Sequence, residues 1–469
     1  MNVKNASIIT IGSILGALVS IVTIPILTWY FSQEVVAKYS ILLISLSLGS
    51  VLIGFEMHQA YVREYYEVEE KEQLLKIALI PGTTIFVLLL IILTLFNISL
   101  AELIFNFNSL LLDFCLWVGV YLTFFINILM HVLRMHGIAL GFALIQILPK
   151  LFFLTVILVG SIIFKQEDFQ ILIYFNVMIL IISTIILIFF LKKDLKKAFF
   201  IELNREKFKE MLSFSVPLIL GSLAYWALTS IDRLFLNFFS NYNELSLYAV
   251  ASTVASGVSM LVVIFGSLWH PLVYKWVNEG IDSKKILAAS ELMVLFICFV
   301  WTLFGLFSWV VDYIFPTSYA GVSILIIGCV TMPLLYLLSE ITTIGIGISK
   351  KTKYTMVVSL FSLLLNVVVN YFFIERYGAK ASIVASMLAF FLFLILRTEF
   401  SSFLWISLSR WKMYLSVLTY LIVTILILFG FLESYIYTTL VWIIILILVL
   451  LLYYKRIVWL LDFIKKRYI

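Results

Sequence analysis

The stretch FSVPLILGSLAYWALTSIDRLFLNFF, residues 214–239, decides the fold of this chain. Its only charges are the neighbours Asp232 and Arg233 near the far end. About 20 mostly apolar residues suffice for a helix to cross the hydrocarbon core of a bilayer, and this run is that long. Working outward from it, the same pattern recurs along the whole chain. Fourteen runs qualify, at about 7–29, 39–62, 77–96, 111–133, 142–164, 170–191, 212–236, 246–269, 286–310, 321–345, 354–374, 379–398, 412–430 and 437–454. The 469 residues are 64% hydrophobic, 16% aromatic and 12% charged, against about 45–50% apolar and about 25% charged in a soluble domain. Such a composition excludes a soluble enzyme, a nucleic-acid binder and a disordered chain. Continuous runs, rather than short alternating ones, exclude a transmembrane β-barrel. The first run is too long for a cleavable signal and leads straight into another span. The expectation is an all-α polytopic membrane protein. Cys115, Cys298 and Cys329 fall inside apolar runs, with neither a disulfide framework nor metal-ligand spacing.

Orientation follows from Lys and Arg. Placing the N-terminus in the cytoplasm puts Lys4, Arg63, Lys71, Lys76, Arg134, the basic run within 192–209, Lys275, Lys284, Lys285, Lys350, Lys351, Lys353, Arg397, Arg410, Lys412 and the residues after 454 on the inner side. Lys38, Lys165, Arg233, Arg376 and Lys380 fall outside, and Lys150 falls within a span. Both termini are therefore expected in the cytoplasm. Topology is a sufficient account of the basic runs, with a dedicated anionic-lipid site as the lesser alternative.

The longest inner connection, KKDLKKAFFIELNREKFKE, follows the sixth run and reads as a hinge between two six-helix halves. The halves resemble each other weakly. Pro25 and Pro217 lie in their first spans, and loops with Glu34 and Glu244 lead to Tyr39 and Tyr248 at the start of their second spans. Six spans per half give both halves one orientation, a parallel repeat about an axis along the membrane normal. The expected division is 1–191 for the first lobe, 192–211 for a cytoplasmic linker, 212–398 for the second lobe, and 399–469 for two appended spans and a basic tail.

The stretch quoted above, followed by LSLYAVASTVASGVSMLVVIFGSLWHPLVYKW, resembles the second-half signature of Wzx-type polysaccharide flippases of the multidrug/oligosaccharidyl-lipid/polysaccharide exporter superfamily. Pro217, the Asp232-Arg233 pair, Tyr248, Trp269 and Pro271 carry the likeness. SIVTIPILTWYFSQEVVAKYSI and HQAYVREYYE resemble the first-half signature. Many members carry a basic residue just after the first proline, where this chain has Thr28-Trp29-Tyr30. The resemblance implies two six-helix lobes in a V-shaped arrangement, as in MATE transporters, around a cavity that opens alternately to each side. It implies an undecaprenyl-pyrophosphate-linked oligosaccharide as cargo, moved from the inner to the outer leaflet of a bacterial cytoplasmic membrane for O-antigen, lipopolysaccharide or capsule biosynthesis. A polysaccharide polymerase and a chain-length regulator are the implied protein partners.

Polar groups at membrane depth are the candidate site residues, because a charge at the centre of a span costs about 2.5–3.5 kcal/mol on insertion scales. Lys150 lies eight residues into the fifth run, with Gln146 one turn earlier and Pro149 freeing a carbonyl beside it. It is either a cavity cation for pyrophosphate or a lysine snorkelling to the headgroups. Glu56, Gln59 and Arg63 share a face of the second run, as do Asn127, His131 and Arg134 in the fourth. These form a basic entry vestibule or plain interfacial anchors, and the histidines are candidate proton carriers. In the seventh run Ser215, Ser222, Thr229 and Asp232 lie near one face, with Tyr225 and Trp226 beside them as candidate sugar-stacking rings. Asp232-Arg233 reads as a local ion pair or a gate. Ser359, Ser362, Asn366 and Asn370 line a face of the eleventh run, suited to sugar hydroxyls or to gluing helices. Glu340 is a further ion or proton candidate, and Gly12, Gly16, Ser20 and Thr23 form a close-packing stripe.

No nucleotide-binding motif is present, so no ATP use and no cofactor is expected. Moving a doubly charged pyrophosphate outward against an inside-negative potential is downhill by about 2.3 kcal/mol per charge per 100 mV, so membrane potential, with H+ or Na+ exchange, is the expected drive. A cation-coupled drug antiporter of the same superfamily is the rival function. An enzyme is not expected, because the longest outer loop, about 97–110, carries Glu102 as its only charge.

Overall fold

A computed structural model describes residues 3–163, 169–279, 283–349, 351, 353–406, 409–432 and 434–459. Lys165, Lys350 and the last ten residues of the basic tail lie outside them. The described residues are helical, with no strand among them. Thirteen helices among them are long and apolar enough to cross a membrane. The longest, Lys353–Leu404, is two helices in series, because Gly378 breaks it at φ 51, ψ −129. All fourteen runs therefore appear, and the chain is an all-α, multi-pass membrane protein.

By packing, Met1–Ser230 forms one unit and Ile231–Ile469 another. The first holds α1 (Val3–Tyr30), α2 (Gln33–Gly54), α3 (Met57–Glu64), α4 (Lys71–Leu95), α5 (Leu100–Phe105), α6 (Leu110–Met135), α7 (Ala139–Ile163), α8 (Phe169–Phe200) and most of α9 (Arg205–Phe239). The division thus falls inside α9 and not in the 192–211 connection. Phe208, Met211, Leu212 and Phe214 of α9 pack against the core of the first unit, beside Leu129, Leu133 and Ala198. The connection itself is docked by charge. After a kink at Leu191, Lys197 pairs with Glu72 at 3.0 Å, Lys207 with Glu64 at 2.5 Å, and Lys76 donates to the Ile201 carbonyl at 2.6 Å.

α1 lies along α7. A Cβ on Gly12 would fall 2.6 Å from Ala143 Cα, and one on Gly16 would overlap the Gln146 carbonyl, so glycine is what permits the approach. The second run is not one helix to residue 62. α2 ends at Gly54, and Phe55 (φ 49) and Glu56 (φ 54) are both left-handed before α3 begins. Glu56, Gln59 and Arg63 therefore do not share a continuous helix face.

The second unit holds the end of α9, α10 (Tyr242–Ser256), α11 (Ser259–Asn278), α12 (Ser283–Phe307), α13 (Val322–Cys329), α14 (Thr331–Thr342), α15 (Ile344–Ile348), α16 (Lys353–Leu404), α17 (Trp411–Leu428) and α18 (Tyr435–Leu452). The last two spans are built into this unit instead of being appended to it. Trp301 of α12, Tyr420 of α17 and Trp442 of α18 meet in series as tilted rings at centroid separations of 5.3 and 5.8 Å, all fully buried. Thr302 and Tyr420 join their hydroxyls at 2.7 Å. The three cysteines are buried free thiols.

Candidate functional site

The densest polar cluster surrounds Asp232, in the last turns of α9. Its side chain is fully buried. A lone carboxylate in such a place is very costly unless hydrogen-bonded, and four donors converge on it. Tyr248 of α10 donates its hydroxyl at 2.8 Å, and Asn370 and Asn366 of α16 donate their amides at 2.8 and 3.2 Å. Ser386, beyond the Gly378 break, adds a very short hydroxyl bond. Ser382 donates to Asn370 Oδ1 at 2.8 Å and completes the network.

Every donor to Asp232 among these is neutral. Arg233 sends Nη2 to Ser252 at 3.1 Å. The local ion pair expected of Asp232-Arg233 is thus replaced by a network drawn from three helices. The reason is geometric: successive residues on a helix point about 100° apart, so Asp232 reaches Tyr248 of α10 and the polar face of α16, while Arg233 reaches Ser252, further along α10. The groups that reach Asp232 present N–H and O–H donors to it, so the network satisfies a carboxylate and would be relaxed by a proton on Asp232. Among the described residues no group of three or more His, Cys, Asp or Glu side chains could hold a metal ion.

The polar face of the eleventh run is internal to the unit. Ser359, Ser362, Asn366 and Asn370 are all buried, and the two asparagines serve Asp232. Sequence reading missed Ser382 and Ser386, although their four-residue spacing in AKASIVASMLAF was a visible small-polar stripe. It also missed Arg397, which had been counted with the topological charges. Arg397 is buried and donates to Glu340 at 2.6 Å and to Ser339 at 3.1 Å. Its guanidinium lies 4.4 Å from the Phe393 ring centroid. Glu340 is therefore half of an ion pair tying α14 to α16.

In the first unit, Lys150 is half-buried on α7 and donates to the Gly16 carbonyl of α1 at 3.0 Å. The Gln146 backbone meets Gly16 in the same place, so both residues sit at the α1–α7 seam. Glu56 is buried and accepts from Gln59 Nε2 at 2.5 Å. His58 Nε2 lies 3.5 Å from the Glu56 carboxylate, and the His58 and His131 rings stack at 4.4 Å. His131 Nδ1 bonds the Asn127 carbonyl at 2.9 Å. The structure thus gathers Glu56, Gln59 and His131, with His58 as the member that sequence reading overlooked. Arg63 is exposed and lies over the Phe214 ring at 4.4 Å, and Arg134 is exposed. Of the two candidate stacking rings, Tyr225 is exposed, while Trp226 has a buried indole N–H with no hydrogen-bond partner among the described residues.

Three comparisons bear on this arrangement. The model of the polysaccharide biosynthesis protein family matches residues 2–276. No curated protein matches the sequence. Among solved structures, the chain is similar to a lipid II flippase, MurJ, in an inward closed conformation, at 16% identity and a TM-score of 0.69, over 97% of this chain and 100% of that one. It is also similar to a multidrug resistance MATE family transporter of the MOP superfamily. The inward-facing form gives 16% identity and a TM-score of 0.58, over 85% of this chain and 98% of that one. The outward-facing form gives the same identity and TM-score, over 85% and 95%. The fold is therefore the one these structures share.

Proposed function

The chain belongs to the polysaccharide biosynthesis protein family, and we propose that it is a flippase for an undecaprenyl-pyrophosphate-linked oligosaccharide repeat unit. It carries the unit from the inner to the outer leaflet of the bacterial cytoplasmic membrane by alternating access, with both termini in the cytoplasm, for O-antigen or capsule assembly. The observation that carries this reading is the family match over residues 2–276, which favours it over the drug-exporting reading. The fold alone would serve either.

Asp232 is the proposed coupling site. A proton taken up by Asp232, or Na+ displacing these donors, would remove the carboxylate's demand on Tyr248, Asn366, Asn370 and Ser386, and so change the packing of α9 against α10 and α16. Glu340, paired with Arg397, is the weaker candidate, because a proton there must first break an ion pair.

The test is the deletion phenotype. Lipid-linked repeat units should accumulate on the inner leaflet and surface polysaccharide should disappear. A deletion strain with normal surface polysaccharide and lowered drug resistance would replace this reading with the cation-coupled multidrug antiporter.

A further inference from the structure

Glu291 of α12, Lys412 at the start of α17, and Tyr453, Lys455, Arg456 and Trp459 just after α18 line a pocket of about 340 Å³. Three cations there face one carboxylate. Glu291 is taken by Arg456, which donates to it through Nε at 2.5 Å. Lys412 donates to the Leu452 carbonyl at 3.2 Å and lies 5.7 Å from the Tyr453 ring centroid. An ammonium has three donors and a guanidinium five. Among the described residues, these two cations spend one hydrogen bond each on the protein. Topology accounts for basic residues on this face of the membrane, but not for their convergence on a concavity with most of their donors unspent.

The pocket shares Glu291, Lys412 and Tyr453 with a neighbouring cavity of about 230 Å³, in which Ser290, Thr398 and Ser401 stand among apolar Val294, Ile341 and Met413. A charged mouth with an amphipathic annex, at the end of membrane-spanning helices, matches a phosphate ester carrying a polar linker and an acyl chain. We propose that this pocket in the second unit binds a phosphate oxyanion, and that its source is the headgroup of an anionic phospholipid. The lysines and Arg456 hold the phosphate by charge-assisted hydrogen bonds, and the annex takes the glycerol region. This site is separate from the Asp232 network and does not depend on the identity of the cargo.

Native mass spectrometry of the detergent-solubilised full chain tests it, with phosphatidylglycerol, phosphatidylethanolamine and inorganic phosphate as probes. Phosphatidylglycerol should be retained in preference to phosphatidylethanolamine. The double variant Lys412→Gln/Lys455→Gln should bind it about tenfold more weakly, each lysine near a membrane surface being worth several-fold. Lys193→Gln/Lys196→Gln, which removes the same charge from exposed positions on α8, should bind it as the parent does. Melting temperatures without lipid should match across all three proteins, which keeps misfolding out of the comparison. Competition by inorganic phosphate at matching concentration would support the oxyanion site and reassign its source to free phosphate. Equal retention by the two double variants, or no preference between the two lipids, would overturn the proposal.

Discussion

Asp232 carries the sharpest residue-scale expectation. Asp232→Asn keeps the size of the side chain and can still join the network, so the protein should fold while transport loses its dependence on H+ or Na+. Flux measured in proteoliposomes against each ion gradient checks this, and an unchanged ion dependence would remove Asp232 from coupling. Asp232→Ala should instead destabilise, at about 1–3 kcal/mol for each donor left unsatisfied, seen as a lower melting temperature in detergent. The Glu340–Arg397 pair calls for a double-mutant cycle. Arg397→Met leaves the half-buried Glu340 carboxylate without its cation and should cost about 3–5 kcal/mol. Adding Glu340→Gln should recover most of that loss, and a purely additive cycle would mean that the pair is not coupled. At this scale legibility was uneven. Asp232, Asn366 and Asn370 stood out as polar groups at membrane depth. Lys150 stood out for the same reason, yet its ammonium meets the Gly16 carbonyl, because Gly12 and Gly16 draw α1 close enough for a backbone oxygen to reach it.

At the scale of elements, Gly378 is the decisive joint. Its φ of 51 with ψ of −129 is a backbone region that other residues adopt only with strain. A Cβ there would fall 2.6 Å from Glu244 Oε2, the atom that accepts the Ala379 amide at 2.9 Å. Gly378→Ala should therefore destabilise the second unit by about 1–3 kcal/mol. It should also lower transport, since the same joint sets Ser382 and Ser386 against Asn370 and Asp232. Thermal unfolding together with flux would detect both, and a variant as stable and active as the parent would mean that the joint tolerates a side chain. The break between α2 and α3 is of another kind. Gly54 is the last residue of α2, but the two left-handed positions after it are Phe55 and Glu56, neither of them glycine, so the apolar run reads on through the break. It follows from burial of Glu56, whose carboxylate is held by Gln59 and whose carbonyl accepts the Ser215 hydroxyl at 3.4 Å.

For the whole molecule the expectation concerns driving force. On the proposed function, an outward-moving pyrophosphate would gain about 2.3 kcal/mol per charge per 100 mV, so collapsing the potential in proteoliposomes should slow flipping severalfold or more. Flipping that persists at full rate without potential would exclude this drive. Number of spans and helical class were legible in the sequence, because bilayer thickness imposes a length on every apolar run. The merged 353–404 helix agrees with the separate runs 354–374 and 379–398, since Gly378 lies in the gap between them. What tertiary structure alone decided is which polar groups meet. Asp232 and Asn370 are 138 residues apart and Asp232 and Ser386 are 154 apart, and no periodicity within one helix reports the rotation of another. The sequence determined what had to be buried in lipid; the packing of α9, α10 and α16 determined where the few buried polar groups could be satisfied, because in hydrocarbon each of them must find its partner on a neighbouring helix.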